Sequence, residues 1–307
     1  MKISEVEREI FCEVADFQGA PEGAYNFRVN GKSVGRKSTD NIDVVPKKGG
    51  KGLDIYIKKG TKNETVHIPV AISASGLKET VYNDFHIGAG SDVVIVAGCG
   101  IYNCGGEDSR HDGVHRFLVE KGAKVRYIEK HYGFGAGPGG KILNPVTELE
   151  LAEEAEAILE MEQIKGVDNT VRKTTAVLKA GAKLLVKERL MTHGRQTAES
   201  SYEVDLVGDN SAVDIASRSV AQDVSQQTFS SKIIGKAKCR GHSECDAIIM
   251  DKAKVAAVPA LTAESVEAEL IHEAAIGKIA GEQLEKLMSL GLTEKEAEGR
   301  IINGFLK

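Results

Sequence analysis

Apolar residues at three- and four-residue spacing open the chain. Ile3, Val6, Ile10, Val14 and Phe17, separated by Glu5, Glu7, Arg8, Glu9 and Glu13, predict an amphipathic helix ending at Gly19 or Pro21. The stretch to about Gly60 is rich in Lys, Asp and Gly and reads as a loop or linker with a short strand at 55–57. From residue 61 the period shortens. Short β-patterned runs bounded by Gly, Asn or Asp continue to about Ala274, with few prolines and almost no helical spacing, so many short strands are expected. A turn, a small residue and a strand recur at Ser91, Ala123, Ala155, Ala182, Ser211, Ala237 and Ala253, at intervals of 16 to 32 residues. At roughly 15 residues per coil most intervals read as two coils of a parallel β-helix, with a β-sandwich as the rival. After Ala274 helical spacing returns. Ile276, Ile279, Ala280, Leu284, Leu287 and Met288 form a stripe that stops at Gly291, and Thr293 with Glu296 makes a capping box for a second helix. The expected organisation is an N-terminal helix and linker (1–60), a β-helix core (61–275) and C-terminal helices (276–307), mainly β overall.

Composition narrows the function. The 307 residues are 41% hydrophobic with no apolar run long enough for a membrane span, and the N-terminus has no export-signal pattern, so a cytoplasmic protein without membrane contact is expected. A net charge of −5 with Lys and Arg spread among carboxylates argues against nucleic-acid binding. Five cysteines without that signal fit reduced thiols rather than a disulfide framework. The absence of Trp and an aromatic content of 5% count against a carbohydrate-active β-helix enzyme, the alternative class alongside a purely structural docking solenoid.

Several residues carry candidate chemistry. Cys245 could supply a soft thiolate for iron or persulfide sulfur, although a lone Cys in a β run is more often a small buried hydrophobe. His242, three residues earlier, falls on the opposite face of a strand unless a bulge intervenes. His272 and Glu273 also face opposite ways, and imidazole and carboxylate are both competent iron ligands. Cys99 and Cys104, beside His111 and His115, form a lesser candidate metal pair. Cys-x4-Cys is a weak signal without a second pair, and we expect the two His to share a face only in a helix, which Gly113 disfavours. Gly135 to Lys141 mimics a phosphate loop, but Ile142 replaces the Ser or Thr that binds magnesium, and Asn144-Pro145 interrupts the helix that should follow. A flexible turn is expected there, so nucleotide hydrolysis would belong to a partner.

The segments Gly241-His242-Ser243-Glu244-Cys245-Asp246, Glu269-Leu270-Ile271-His272-Glu273-Ala274, Gly277-Lys278-Ile279-Ala280-Gly281-Glu282-Gln283-Leu284 and Ile302-Asn303-Gly304-Phe305 resemble the SufB/SufD family of Fe–S cluster assembly scaffolds. The likeness runs from about Ile87 to the C-terminus and is closest to the compact, standalone SufB-like form. It implies a right-handed parallel β-helix and a non-enzymatic scaffold that accepts sulfur and iron and transfers nascent clusters. By the same resemblance Cys245, His272 and Glu273 hold a transient iron–sulfur cluster, and reduced flavin joins the complex in some relatives. Implied partners are a SufC-like ABC ATPase docking on the C-terminal helices and a sulfur donor from a cysteine desulfurase system. A homodimer is expected through the terminal coils, because no second scaffold is implied and an open sheet edge at residues 262–274 invites pairing.

Overall fold

The computed structural model describes residues 3–17, 19 and 21–307. In chain order these form α1 (Glu5–Ala15), β1 (Ala24–Val29), β2 (Lys32–Lys37), β3 (Ile42–Pro46), β4 (Gly52–Ile57), β5 (Lys62–Ile72), β6 (Lys78–Ile87), β7 (Asp92–Tyr102), β8 (Ser109–Val119), β9 (Lys124–Phe134) and β10 (Lys141–Leu143). There follow β11 (Val146–Leu151), β12 (Glu156–Lys165), β13 (Asn169–Leu178), β14 (Lys183–Thr192), β15 (Thr197–Leu206), β16 (Ala212–Ala221), β17 (Gln226–Gly235), β18 (Arg240–Ile249), β19 (Lys254–Ala263), β20 (Glu269–Gly277), α2 (Gly281–Ser289) and α3 (Glu294–Phe305).

The strands build two ten-stranded sheets that are parallel apart from the hairpin pairings of β1 with β2 and β3 with β4. One runs β2-β1-β5-β7-β9-β12-β14-β16-β18-β20 and the other β19-β17-β15-β13-β10-β8-β6-β4-β3, with β11 filling the second sheet beyond Pro145. From β4 onward, with β10 and β11 counted as one strand interrupted at Pro145, successive strands alternate between the sheets, so the chain winds as a β-solenoid of about eight turns. Lys183 stands beside Ala212 and Ala212 beside Arg240, an advance of 29 and 28 residues per coil. The recurrence seen in the sequence is therefore one whole coil of two ten-residue strands, and the expected 15-residue coil is corrected.

The small residues mark one corner. Ser91, Ala123, Ala155, Ala182 and Ser211 each immediately precede a strand of the first sheet and are almost wholly buried. Each carbonyl accepts a hydrogen bond from the residue after the next small one, as in Lys124 N–H to Ser91 at 2.8 Å and Glu156 N–H to Ala123 at 2.9 Å. The turn demands positive φ just before the small residue, supplied by Gly122 (64°) and also by Asn210 (61°). In the next coil this slot belongs to buried Cys239 rather than Ala237, while Ala253 precedes a strand of the other sheet.

The stretch expected to be a linker with one short strand at 55–57 has that strand, as the end of β4, but also forms β1, β2 and β3. β1 continues the first sheet in parallel with β5, β4 pairs with β6, and the antiparallel strands β2 and β3 end the two sheets. Capped by Ser4 and Glu7, α1 lies directly on the outer face of β7. A methyl added at Gly100 would sit 2.4 Å from Ile10 Cγ2, so the strand has given up side chains to admit the helix. At the other end α3 begins at the Thr293–Glu296 capping box and buries Ile302 and Leu306 against Val220 of β16.

Inside the solenoid an apolar column of Val, Ile, Leu, Ala and Phe is interrupted by charge. Buried Arg172 pairs with Glu129 and lies 3.5 Å from Glu188, whose oxygens accept from Ser200 at 2.6 Å and Ser217 at 2.8 Å. Arg172 holds Glu129 well below the usual carboxylate range against the opposing effect of burial. Arg172→Met should therefore leave two uncompensated carboxylates and cost about 3–5 kcal/mol, read as a lower urea midpoint. Adding Glu129→Gln and Glu188→Gln to Arg172→Met should recover part of that loss, and an unchanged midpoint for Arg172→Met would reject the account.

Candidate functional site

Strand alternation sorts the candidate donors onto two faces of one wall. In β18, Gly241, Ser243, Cys245 and Ala247 point inward while His242, Glu244 and Asp246 point out. No bulge interrupts the pairing of β18 with β20, so His242 and Cys245 lie on opposite faces. On β20, His272 points inward and Glu273 outward, as the alternation predicts.

The inner group is compact. Ser243 pairs in register with His272 and Cys245 with Ala274, which puts Cys245 and His272 on one face across a diagonal of roughly 8 Å between α-carbons. His272 Nδ1 is 2.7 Å from Ser243 Oγ, which is 2.9 Å from Ser231 Oγ. This chain of hydroxyls fixes the imidazole. Cys245 neighbours Ser217 in the preceding coil, the residue that donates to Glu188. Burial, with the charges of Glu188 and Asp246, pushes the Cys245 thiol up to about 12, so without a cation it is a neutral thiol.

The outer group is acidic. His242 Nδ1 is 2.8 Å from Asp214 Oδ1 and its Nε2 is 3.8 Å from Glu273 Oε2, while the hydrogen bond between Glu244 and Asp246 raises Glu244. Glu273 is thus separated from Cys245 and His272 by the strand itself. Among the described residues, three or more His, Cys, Asp or Glu are nowhere gathered into a group able to hold a metal ion.

The second cysteine cluster divides as well. Cys99 is buried, whereas Cys104 is exposed on a turn where the Tyr102 hydroxyl, together with backbone N–H groups of Ala136 and Gly137, lowers its thiol. His111 and His115 do share a face, but in a strand: residues four apart in β8 both point inward, so the expectation that only a helix could pair them is corrected. The phosphate-loop mimic is the turn between β9 and β10, and its Lys141 is tied to Asp168 at 2.8 Å.

Sequence reasoning missed Glu129, Arg172, Glu188, Tyr127 and His131. The signal was present in the period: Glu188 occupies an inward position between Val186 and Leu190, and Arg172 one between Thr170 and Thr174.

A parallel β-solenoid carrying a thiol and an imidazole on the inner wall of its last coils is the class of protein that this fold and site define. Residues 74–305 match the family described as SUF system FeS cluster assembly, SufBD core domain, and the chain belongs to that family. It is 29% identical over 241 residues to an iron-sulfur cluster assembly SufBD family protein of Methanothermobacter thermautotrophicus, covering 76% of this chain and 57% of that one. A SufBD family protein of Methanocaldococcus jannaschii is 28% identical over 244 residues, 78% of this chain and 76% of that one. The iron-sulfur cluster assembly protein SufB of Bacillus subtilis is 26% identical over 205 residues, 65% of this chain and 43% of that one. The chain thus spans little more than half the length of the first of these relatives and less than half that of the last. The family so described is one of Fe–S cluster assembly. No helix among the described residues is long and apolar enough to cross a membrane.

The interior also sets a pH dependence. His115 Nδ1 bonds the Tyr127 hydroxyl at 2.6 Å, that hydroxyl donates to Glu129 at 2.9 Å, and Nε2 is 3.2 Å from Asn83 Nδ2. Burial pushes His115 down to about 4 despite Glu129, with His111, His131 and Arg172 adding to the depression. Above the unfolded value of 6.5 the imidazole is neutral in both states. Below it the unfolded chain takes up a proton that the folded chain refuses, so stability is lost as pH falls from about 6.5 to about 4, by about 3 kcal/mol from this group. Urea midpoints at pH 7 and 4.5 should show a fall that is distinctly smaller in His115→Gln; an equal fall in both would rule out this origin.

Proposed function

We propose that this chain is a non-enzymatic scaffold of a Suf-type complex that accepts iron and sulfur on Cys245 and His272, with Glu273, and passes on the nascent cluster. The observation that carries this reading is the inward pair Cys245 and His272 at the open end of the solenoid. A thiolate and an imidazole are two of the ligands an iron site needs, and a cation replaces the proton that burial otherwise keeps on Cys245.

Two ligands are too few, and the end of the solenoid suggests where more come from. The last coil leaves Val258, Leu261, Ile271 and Ile276 exposed on β19 and β20, with both strands at unpaired sheet edges. A second copy meeting that end would cover the apolar surface and bring its own Cys245, His272 and Glu273 to the seam. Glu273, on the outer face, would then ligate iron at the seam rather than inside the coil.

For a SufC-like ABC ATPase the docking element is α2. The stripe expected across both helices is divided, because α3 uses Ile302 and Leu306 against the solenoid while α2 buries no residue and leaves Met288 exposed. A sulfur donor of the cysteine desulfurase system would load Cys245, and reduced flavin would enter with the assembled complex. The cytoplasm is the compartment that suits five unpaired thiols.

Anaerobic reconstitution with ferrous iron and sulfide tests the reading through the visible absorption of the cluster. Cys245→Ser should fold normally and lower cluster yield by about tenfold or more, because a hydroxyl stays protonated and binds iron poorly. Glu273→Ala should cost less, since water replaces a hard oxygen ligand more readily than a thiolate. Cys12→Ser and Cys239→Ser should keep wild-type yield; the latter places Ser where Ser211 already stands in the preceding coil and Ser91 in an earlier one. Wild-type yield from Cys245→Ser would overturn the proposal. Glu282→Lys with Glu285→Lys, on α2, should abolish co-purification with the ATPase, and retained binding would reject α2 as its dock.

A further inference from the structure

The first coil of the solenoid is unfinished. β6 runs from Lys78, but its pairing with β4 begins only at Tyr82, opposite Gly52, because the β3–β4 hairpin turns back beyond Pro46. β3 closes half of this end with Ile42 and Val44, which join the main apolar core. The other half is left as a cavity of about 280 Å³, close to the lower end of ligand pockets, roughly 300 Å³.

The floor of this cavity is apolar and its rim is cationic. Leu53, Ile68, Val70 and Val81 form the floor, none of them more than 6% exposed. Arg28, Lys32 and Arg36 line the rim and no carboxylate does, in a chain whose net charge is −5. Arg28 is committed: its Nη2 and Nε reach Glu79 Oε2 at 2.9 and 3.1 Å, and its Nη1 has only the Gly50 carbonyl, at 3.5 Å. Lys32 and Arg36, exposed on β2, pair with no acid among the described residues.

A buried donor points into the same space. Asn26 lines the cavity and is 5% exposed. Its Oδ1 accepts from Ser33 Oγ at 2.7 Å, which fixes the amide, while its Nδ2 donates to none of the described residues. A buried N–H without an acceptor carries a desolvation cost that a ligand oxygen would remove. Asn83, also on the cavity wall, is engaged: its Oδ1 accepts from Leu53 N–H at 3.1 Å and its Nδ2 is 3.2 Å from His115 Nε2.

We propose that this cavity binds a small amphiphilic carboxylate, its head held by Arg36, Lys32 and the Asn26 amide and its hydrocarbon body resting on the apolar floor. The planar fork of Arg36 matches a carboxylate, and the Asn26 N–H adds a directed donor. The floor removes a short acyl chain from water. Inorganic phosphate would satisfy the rim and leave the floor uncovered, so the hydrocarbon is part of what is recognised. The Arg28–Glu79 pair ties β1 to β6 and sets the walls before the ligand arrives. The site lies at the end of the solenoid opposite Cys245 and does not depend on cluster assembly.

Octanoate is the probe, titrated into the full chain and followed by calorimetry and amide NMR shifts. One octanoate should bind per chain, with shifts centred on Asn26, Ile68, Val70 and Val81. Octanamide has the same body without the charge, and inorganic phosphate has charge without the body; each should bind about tenfold more weakly or worse. Lys32→Glu with Arg36→Glu, on an exposed strand, should weaken octanoate by about tenfold or more, and Asn26→Ala by less. Should either variant fail to fold, the ratio of octanoate to octanamide affinity in wild type decides. Absence of saturable binding at millimolar octanoate, equal binding of octanamide or of phosphate, or shifts confined to β19 and β20 would each overturn the proposal.

Discussion

Each coil of the solenoid is held by backbone hydrogen bonds to the coil before it, and that ladder dictates almost everything else about the molecule. Parallel pairing without slip keeps residues of like parity stacked for several coils, from Lys183 through Ala212 to Arg240. The corners must then superimpose as well. A bulky residue at Ser91, Ala123, Ala155, Ala182 or Ser211 would push two coils apart, and a residue unable to take positive φ before it would open the turn. Where the ladder meets extra chain, as in the longer turn after β7, the coil grows to 32 residues, from Asp92 to Lys124, and β7 and β9 keep their pairing.

The same ladder decides which side chains can cooperate. Inward residues of neighbouring strands meet across the interior, whereas neighbours in sequence are divided by the strand. Cys245 therefore has Ser217, Ser243 and His272 as companions, and Glu273 has His242 and Asp214. A narrow interior closed on both sides excludes water, so polar groups there must satisfy one another. Arg172 with its two carboxylates, and His115 between Asn83 and Tyr127, meet that demand through hydrogen bonds that run between coils. The low dielectric that makes such groups costly also makes their proton affinities differ widely: His115 is pushed down to about 4, His111 is held up at about 10 and Cys245 is pushed up to about 12.

A ladder needs ends. At the N-terminal end the antiparallel strands β2 and β3 turn the sheets back on themselves, and α1 covers the flank. At the other end β19 and β20 carry exposed apolar side chains at unpaired edges. That asymmetry is the physical basis for proposing a second copy there.

The sequence by itself determined the mainly β class, the helices at both ends, the Thr293 capping box and the opposite facing of His272 and Glu273, because each depends on local periodicity or on a turn of a few residues. Motif order and spacing carried the resemblance to the SufB/SufD family. The length of a coil was not readable from recurrence alone, since a repeat of about 29 residues fits one coil of two long strands or two coils of short ones. The end strands β2 and β3 looked like linker because they are largely solvated and lie in a stretch rich in Lys, Asp and Gly. Only the tertiary structure could bring Arg172 to Glu129 and Glu188, or His111 to Glu79, because these contacts join residues on different coils or on opposite sheets. Their partners are set by the winding of the chain, and no local pattern encodes that.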